Sequence, residues 1–249
     1  MLTLRSCWRA LLQTIHDMRP QRSGDAPPTP HWTTYLDPTP DVPLGIDSYK
    51  SSWIAVQGND PLQLAQHLGL KDIHETNWRS GLYIRKEYSM SHVFVSPVMA
   101  GWLLAQGTAL PTSLHGKDPR SAPYPLLMLQ ELGQLYDQVY YFNTNRITDY
   151  HTWVRVENGK LVRAFDCYAH EVRIDTGKLI PPESEIEYFK HPAREITDEY
   201  GDSSLTPDED DVLRVARAWV GCPMPNGFQD ERPSTGFIGV VPRKFRPYA

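Results

Sequence analysis

The stretch TDYHTWVRVENGKLVRAFDCYAHE, residues 148–171, brings His151, Asp166, Cys167 and His170 close together in the chain. A thiol beside a histidine base can attack an acyl carbon, so these residue types raise cysteine-dependent hydrolysis. Histidine and aspartate together also suit a binding surface. Geometry separates the two. Asn158-Gly159 is a strong hairpin signal, because a type I′ turn takes positive φ at both central positions. A tight turn there pairs Glu157 with Lys160, Val156 with Leu161, Trp153 with Ala164, His151 with Asp166 and Tyr150 with Cys167. With alternate residues on opposite faces, Tyr150, Thr152, Val154, Val156, Leu161, Phe165 and Cys167 share one face, and Arg163 sits among them. His151, Arg155, Glu157, Lys160 and Asp166 share the other. The first face is expected to be core and the second to meet solvent. Cys167 and His151 are then kept apart, His170 is the base left to a Cys167 nucleophile, and a buried, inert thiol is expected. The exposed face of His151, Arg155 and Asp166 is a candidate binding surface.

Other constellations carry less. His67 and His74 are seven apart with Gly69 between them, His115 lies in LHGKDPRS, and His191 precedes a proline. None has the spacing that presents two ligands to one ion, so no metal site is expected. GxSxG, GxxxxGK[ST] and GxGxxG are absent, which leaves no common hydrolase or nucleotide signature and no expected cofactor.

Charge is a stronger signal. From Glu183 to Asp211, eleven acidic residues stand against Lys190 and Arg194, a balance of −9, which leaves the other 220 residues at +4 because the whole chain carries −5. Part of this has a local cause: Thr206 reads as a helix cap, Pro207 as the first helical position, and Asp208 to Asp211 complement the helix dipole. Glu183, Glu185, Glu187, Asp198, Glu199 and Asp202 remain. They form either a solvated face or a docking surface for a basic partner, to which Asp208 and Asp210 would add. Calcium ligation is disfavoured, because the DxDxDG spacing is missing.

The elements that must position these residues follow from patterning. Leu4, Trp8, Leu11, Leu12 and Ile15 have helical spacing, and residues 20–46 hold seven prolines, which bars a helix or interior strand there. Trp32, Tyr35 and Leu36 make this segment read as one that wraps a body rather than a free linker. SSWIAVQG is expected as a strand and DPLQLAQHLGL as a helix capped by Asp60. SGLYIRKEY, SHVFVSP and GWLLAQG read as an antiparallel meander, YPLLMLQELGQLYD as a helix interrupted by Gly133, and QVYYFNT as a strand. VLRVARAWVG completes the helix after Pro207, with Val212, Val215 and Trp219 inward and Gly221 at its end. STGFIGVV is a tail strand at best. The expectation is an α+β protein, an antiparallel β-sheet with flanking helices behind a proline-rich N-terminal segment. It divides into 1–46, a core over 47–182, and an acidic region with a C-terminal helix and tail over 183–249.

Composition agrees with a globular fold: 40% apolar and 11% aromatic residues, with 22 prolines implying much irregular chain. Cys7, Cys167 and Cys222 lie far apart without CxxC spacing, so a disulfide framework is not indicated and a reducing cytoplasm is expected. No apolar run approaches the roughly 20 residues that span a bilayer.

The runs SSWIAVQG, NWRSGL, VFVSPVMAGWLLAQGTALP, YYFNTNRITDYHTWVRVENGKLVRAF and DTGKLIPPE, over roughly residues 50–185, resemble a family of mostly bacterial proteins found beside secreted toxins. The chain is most similar there to immunity proteins paired with type VI secretion nuclease effectors. The resemblance implies a cytoplasmic protein with no reaction of its own, which binds and neutralises a cognate toxin and engages neither nucleic acid nor membrane. It carries no catalytic motif to transfer. The alternatives left open are a hydrolase using Cys167 and His170, and an adaptor or chaperone that loads an effector.

Overall fold

The computed structural model describes residues 30–44, 50–110, 114, 125–190, 206–221 and 232–242. The chain divides into two compact units, residues 1–34 and 35–249. In the first, the described residues 30–34 carry the start of a short 3-10 turn, Trp32–Tyr35.

The second unit is built on one nine-stranded sheet. In chain order its strands are β1 (Lys50–Gln57), β2 (Lys71–Asn77), β3 (His92–Val95), β4 (Trp102–Gln106), β5 (Gln138–Asn145), β6 (Tyr150–Glu157), β7 (Lys160–Tyr168), β8 (Glu171–Gly177) and β9 (Thr235–Val240). Their spatial order is β2-β9-β3-β4-β1-β5-β6-β7-β8, with antiparallel pairing throughout. The helices are α1 (Pro61–His67), α2 (Trp78–Glu87), α3 (Pro125–Leu132), α4 (Glu187–Lys190) and α5 (Glu209–Val220). The protein is α+β, an antiparallel sheet with a few flanking helices.

β1 lies mid-sheet, and six consecutive residues, Ser51 to Val56, are buried, because both faces of the sheet are covered. One face carries Ile54, Val56, Val139, Tyr141, Val154, Val156 and Ala164 against Leu64 and Ala65 of α1 and Leu129 and Leu132 of α3. The other is aromatic. Trp53 stacks on Phe142, Trp219 of α5 packs edge-on against Tyr140, and Trp153 stacks on Phe165, which meets Tyr188 and Phe189 of α4.

Several expectations meet the structure as written. Asp60 caps α1 by accepting from Gln63 N at 2.9 Å, with Pro61 in first position. α3 ends before Gly133, where a side chain would collide with Val156 and Gly159. α5 ends at Gly221 with φ of 67°, and Val212, Val215 and Trp219 are buried. Its N-cap is Asp208 rather than Thr206: Asp208 accepts from Asp211 N at 3.0 Å, and Asp211 reaches back to Asp208 N.

Four elements differ. SGLYIRKEY belongs to α2, not to a meander. The first amides of that helix are satisfied from two places: Trp78 N and Arg79 N donate to Asp41 at 2.7 and 3.0 Å, and Ser80 N donates to Asn77 at 2.9 Å. Gly81 then lets α2 approach the Phe94 ring, which a Cβ at that position would overlap. STGFIGVV supplies β9, an interior strand paired on both sides, with β2 and β3. β2 and β8, the two edge strands, are polar and half-exposed; β2 lacks apolar alternation, and in β8 it is limited to Val172 and Ile174.

Candidate functional site

The hairpin of β6 and β7 turns at Asn158-Gly159, with φ of 48° and 71° as a type I′ turn requires. Its register is not the uniform one expected. Glu157 pairs with Lys160 and Val156 with Leu161, but a bulge then shifts the ladder by one, so Arg155 pairs with Arg163, Trp153 with Phe165, Thr152 with Asp166 and His151 with Cys167. The bulge moves Asp166 to the face of Thr152 and brings Cys167 opposite His151.

This overturns the exposed binding face. Asp166 is fully buried; Tyr150 Oη donates to it at 2.5 Å and Thr152 Oγ1 at 2.7 Å. His151 is 2% exposed. Arg155 is half-buried, pairs with Glu157, and lies over the rings of Tyr140 and Trp219. Both hairpin faces are covered by other elements, so neither meets solvent as a sheet surface.

His151 and Cys167 face each other without forming a nucleophile pair. The His151 ring bonds Thr144 Oγ1 at 3.1 Å through Nδ1 and Asp149 Oδ1 at 3.0 Å through Nε2. His170 Nδ1 lies 2.5 Å from the other Asp149 oxygen and 3.1 Å from Thr206 Oγ1. Asp149 therefore bridges the two histidines. Burial, with the charges of Asp149 and Asp166 behind it, pushes the Cys167 thiol up to about 12. Burial likewise holds the His151 pKa below its ordinary value, against the opposing pull of Asp149. A thiol so placed is protonated at neutral pH, the opposite of what a nucleophile needs.

The acidic region divides. Glu183, expected on a docking surface, is fully buried and is corrected to a structural group. Its Oε1 accepts from Arg163 Nε at 2.6 Å and Trp153 Nε1 at 2.7 Å, and its Oε2 accepts from Ile180 N at 2.9 Å. Arg163, also fully buried, reaches Asp175 at 2.6 Å with its Nη1. The signal for this pair was present in the hairpin pattern: an arginine among core-facing residues needs a buried counter-charge.

Glu185, Glu187, Asp208 and Asp210 are exposed as expected. Asp198, Glu199 and Asp202 lie outside the described residues. The two segments bearing the exposed carboxylates abut: Trp219 Nε1 of α5 donates to Pro181 O at 3.2 Å, and Pro182 joins Asp210, Leu213 and Arg214 around one shallow hollow. Among the described residues of this surface, six carboxylates (Glu185, Glu187, Asp208, Glu209, Asp210, Asp211) stand against Lys190, Arg214 and Arg217, a balance of −3. Lys190 pairs with Glu187 and Arg214 with Asp211. The face is acidic, though less so than the run of sequence suggests.

No family model matches the chain, and no curated protein or solved structure matches it. Among the described residues, no helix is long and apolar enough to cross a membrane. No group of three or more histidine, cysteine, aspartate or glutamate residues there is arranged to hold a metal ion.

A second feature went unmarked in the sequence. A cavity of about 730 Å³ opens at the end of the sheet where β1 and β6 begin and β5 and β7 end, closed on one side by the last turn of α2. Lys50, Arg85 and Lys86 line it. Lys50 lies 35 residues before the adjacent Arg85 and Lys86, so no local charge run announces the three together.

Proposed function

We propose that this chain is a cytoplasmic immunity protein that binds and neutralises a cognate antibacterial toxin by direct contact. A nuclease effector of a type VI secretion system is the partner that fits best. The observation that carries the reading is the exposed set Glu185, Glu187, Asp208 and Asp210, displayed on two abutting segments over one face of the sheet. A nuclease handles phosphates and presents basic surface to do so. An acidic face of fixed geometry offers that surface a substitute and steers the encounter. The face also rests on a rigid base. The 3-10 turn Glu183–Glu185 is tied to the sheet through the Glu183 pair, and α5 is seated by Trp219 among Tyr140 and Phe142. Preorganised carboxylates lose little freedom on binding.

The test is co-expression with candidate toxins encoded beside it, scored by growth and by co-purification, with a variant carrying Glu185→Lys, Glu187→Lys, Asp208→Asn and Asp210→Lys. Asparagine at 208 preserves the helix cap while removing its charge. The expected result is rescue by the native chain and an association rate reduced roughly ten- to a thousandfold at low salt in the variant. Rescue and association rate unchanged in the variant would remove this face from the interface.

A further inference from the structure

We infer that the cavity at the end of the sheet binds a small molecule carrying a phosphate group. The inference is independent of toxin binding. The cavity, about 730 Å³, falls within the size range of small-molecule sites. Of its fourteen described lining residues three are cationic, ten carry a hydroxyl or side-chain amide, one is Met90, and none is a carboxylate. A solvated dent in a chain of net charge −5 would be expected to show both signs.

Two of the three cations, Lys50 and Lys86, are placed for a ligand, and the third forms part of the wall. Arg85 is 6% exposed and is held at the wall by the packing of α2, whose neighbouring Ile84 is fully buried. Lys86 and Lys50 are exposed and make no ion pair among the described residues. The floor is polar and fixed. Ser51 and Asn143 are 1% and 3% exposed, and Ser51 Oγ already receives Gln106 Nε2 at 3.0 Å.

Two terms oppose an anion here. The C-terminal end of α2 points its carbonyls toward this end of the sheet, and Arg85 and Lys86 answer that dipole in part. Asp166 lies behind Tyr150, one hydrogen bond from the cavity wall. Half a negative charge and one carboxylate stand against the ammonium groups of Lys50 and Lys86, which make no ion pair among the described residues, so the described lining stays positive. Arginine and lysine beside hydroxyl and amide donors match phosphate oxygens, which accept several hydrogen bonds at once.

The experiment is titration calorimetry on the full chain at low salt, with inorganic phosphate, pyrophosphate and ATP as probes up to about 1 mM, repeated with Lys50→Ala plus Lys86→Ala. Both lysines are exposed, so the double variant is expected to fold, and its unchanged melting temperature verifies this. Lys86→Glu serves as a second variant. The expected result is saturable binding of at least one probe, weakened about tenfold or more by either variant and falling as salt rises. Binding of all three probes points to a simple phosphate site, and binding of ATP alone to a nucleotide. No binding of any probe, or binding that neither variant weakens, overturns the inference.

Discussion

Replacing Glu183 by glutamine separates a structural carboxylate from a partner-binding one. The substitution keeps the volume and removes the charge from a group that receives three donors, two of them buried side chains of the sheet. Leaving one member of a buried ion pair without its partner costs about 3–5 kcal/mol. Asp175 still faces Arg163 at 2.6 Å, which places the loss near the lower end, about 3 kcal/mol. For a chain of this size each kcal/mol moves the melting temperature by roughly 2–4 °C, so a drop of roughly 6–12 °C is expected. Glu185→Gln, two residues on and exposed, is the control, with an effect within about 0.5 kcal/mol. The assay is urea unfolding followed by tryptophan fluorescence, with thermal melts alongside. A loss below about 1 kcal/mol for Glu183→Gln, or one no larger than the control, refutes the reasoning that Glu183 holds the 3-10 turn to the sheet.

Two further outcomes follow from the Asp149 cluster. Folding holds His151 neutral where the unfolded chain protonates it near 6.5, so the unfolded state binds the extra proton as pH falls below that value and stability declines through this window. His151→Gln should flatten the pH dependence of the melting temperature between about pH 6.5 and 5, and an unchanged slope would show that His151 does not titrate this way. Cys167 should resist iodoacetamide in the native protein at pH 8 in a Cys7→Ser, Cys222→Ser background, reacting at least about a hundredfold faster in denaturant. Fast native alkylation would restore the hydrolase reading.

The parts of the fold written in local chemistry were legible. Asn158-Gly159 marked the hairpin, Asp60-Pro61 opened α1, and Gly221 closed α5, because each acts within a few residues of itself. What was missed depends on distant partners. α2 is capped by Asp41, 37 residues before Trp78, while its own Tyr83 and Ile84 favour a strand. β9 finds its place between β2 and β3 only through pairing across most of the chain. The bulge between β6 and β7 has no compositional mark, yet it reverses the facing of Asp166 and with it the proposed hairpin surface. Glu183 looked like one more acid in an acidic run. Arg163, placed on a core-facing register, was the clue that one carboxylate of that run had to be inside.

The central claim is that this chain neutralises a toxin through contacts made by its acidic face. Its most direct test is growth of cells expressing the product of the adjacent open reading frame, alone, with the native chain, and with the chain bearing Glu185→Lys, Glu187→Lys, Asp208→Asn and Asp210→Lys. The expected results are toxicity alone, rescue and a stable complex with the native chain, and weakened rescue with the variant. Toxicity that the native chain fails to relieve, with no complex recovered, would contradict it.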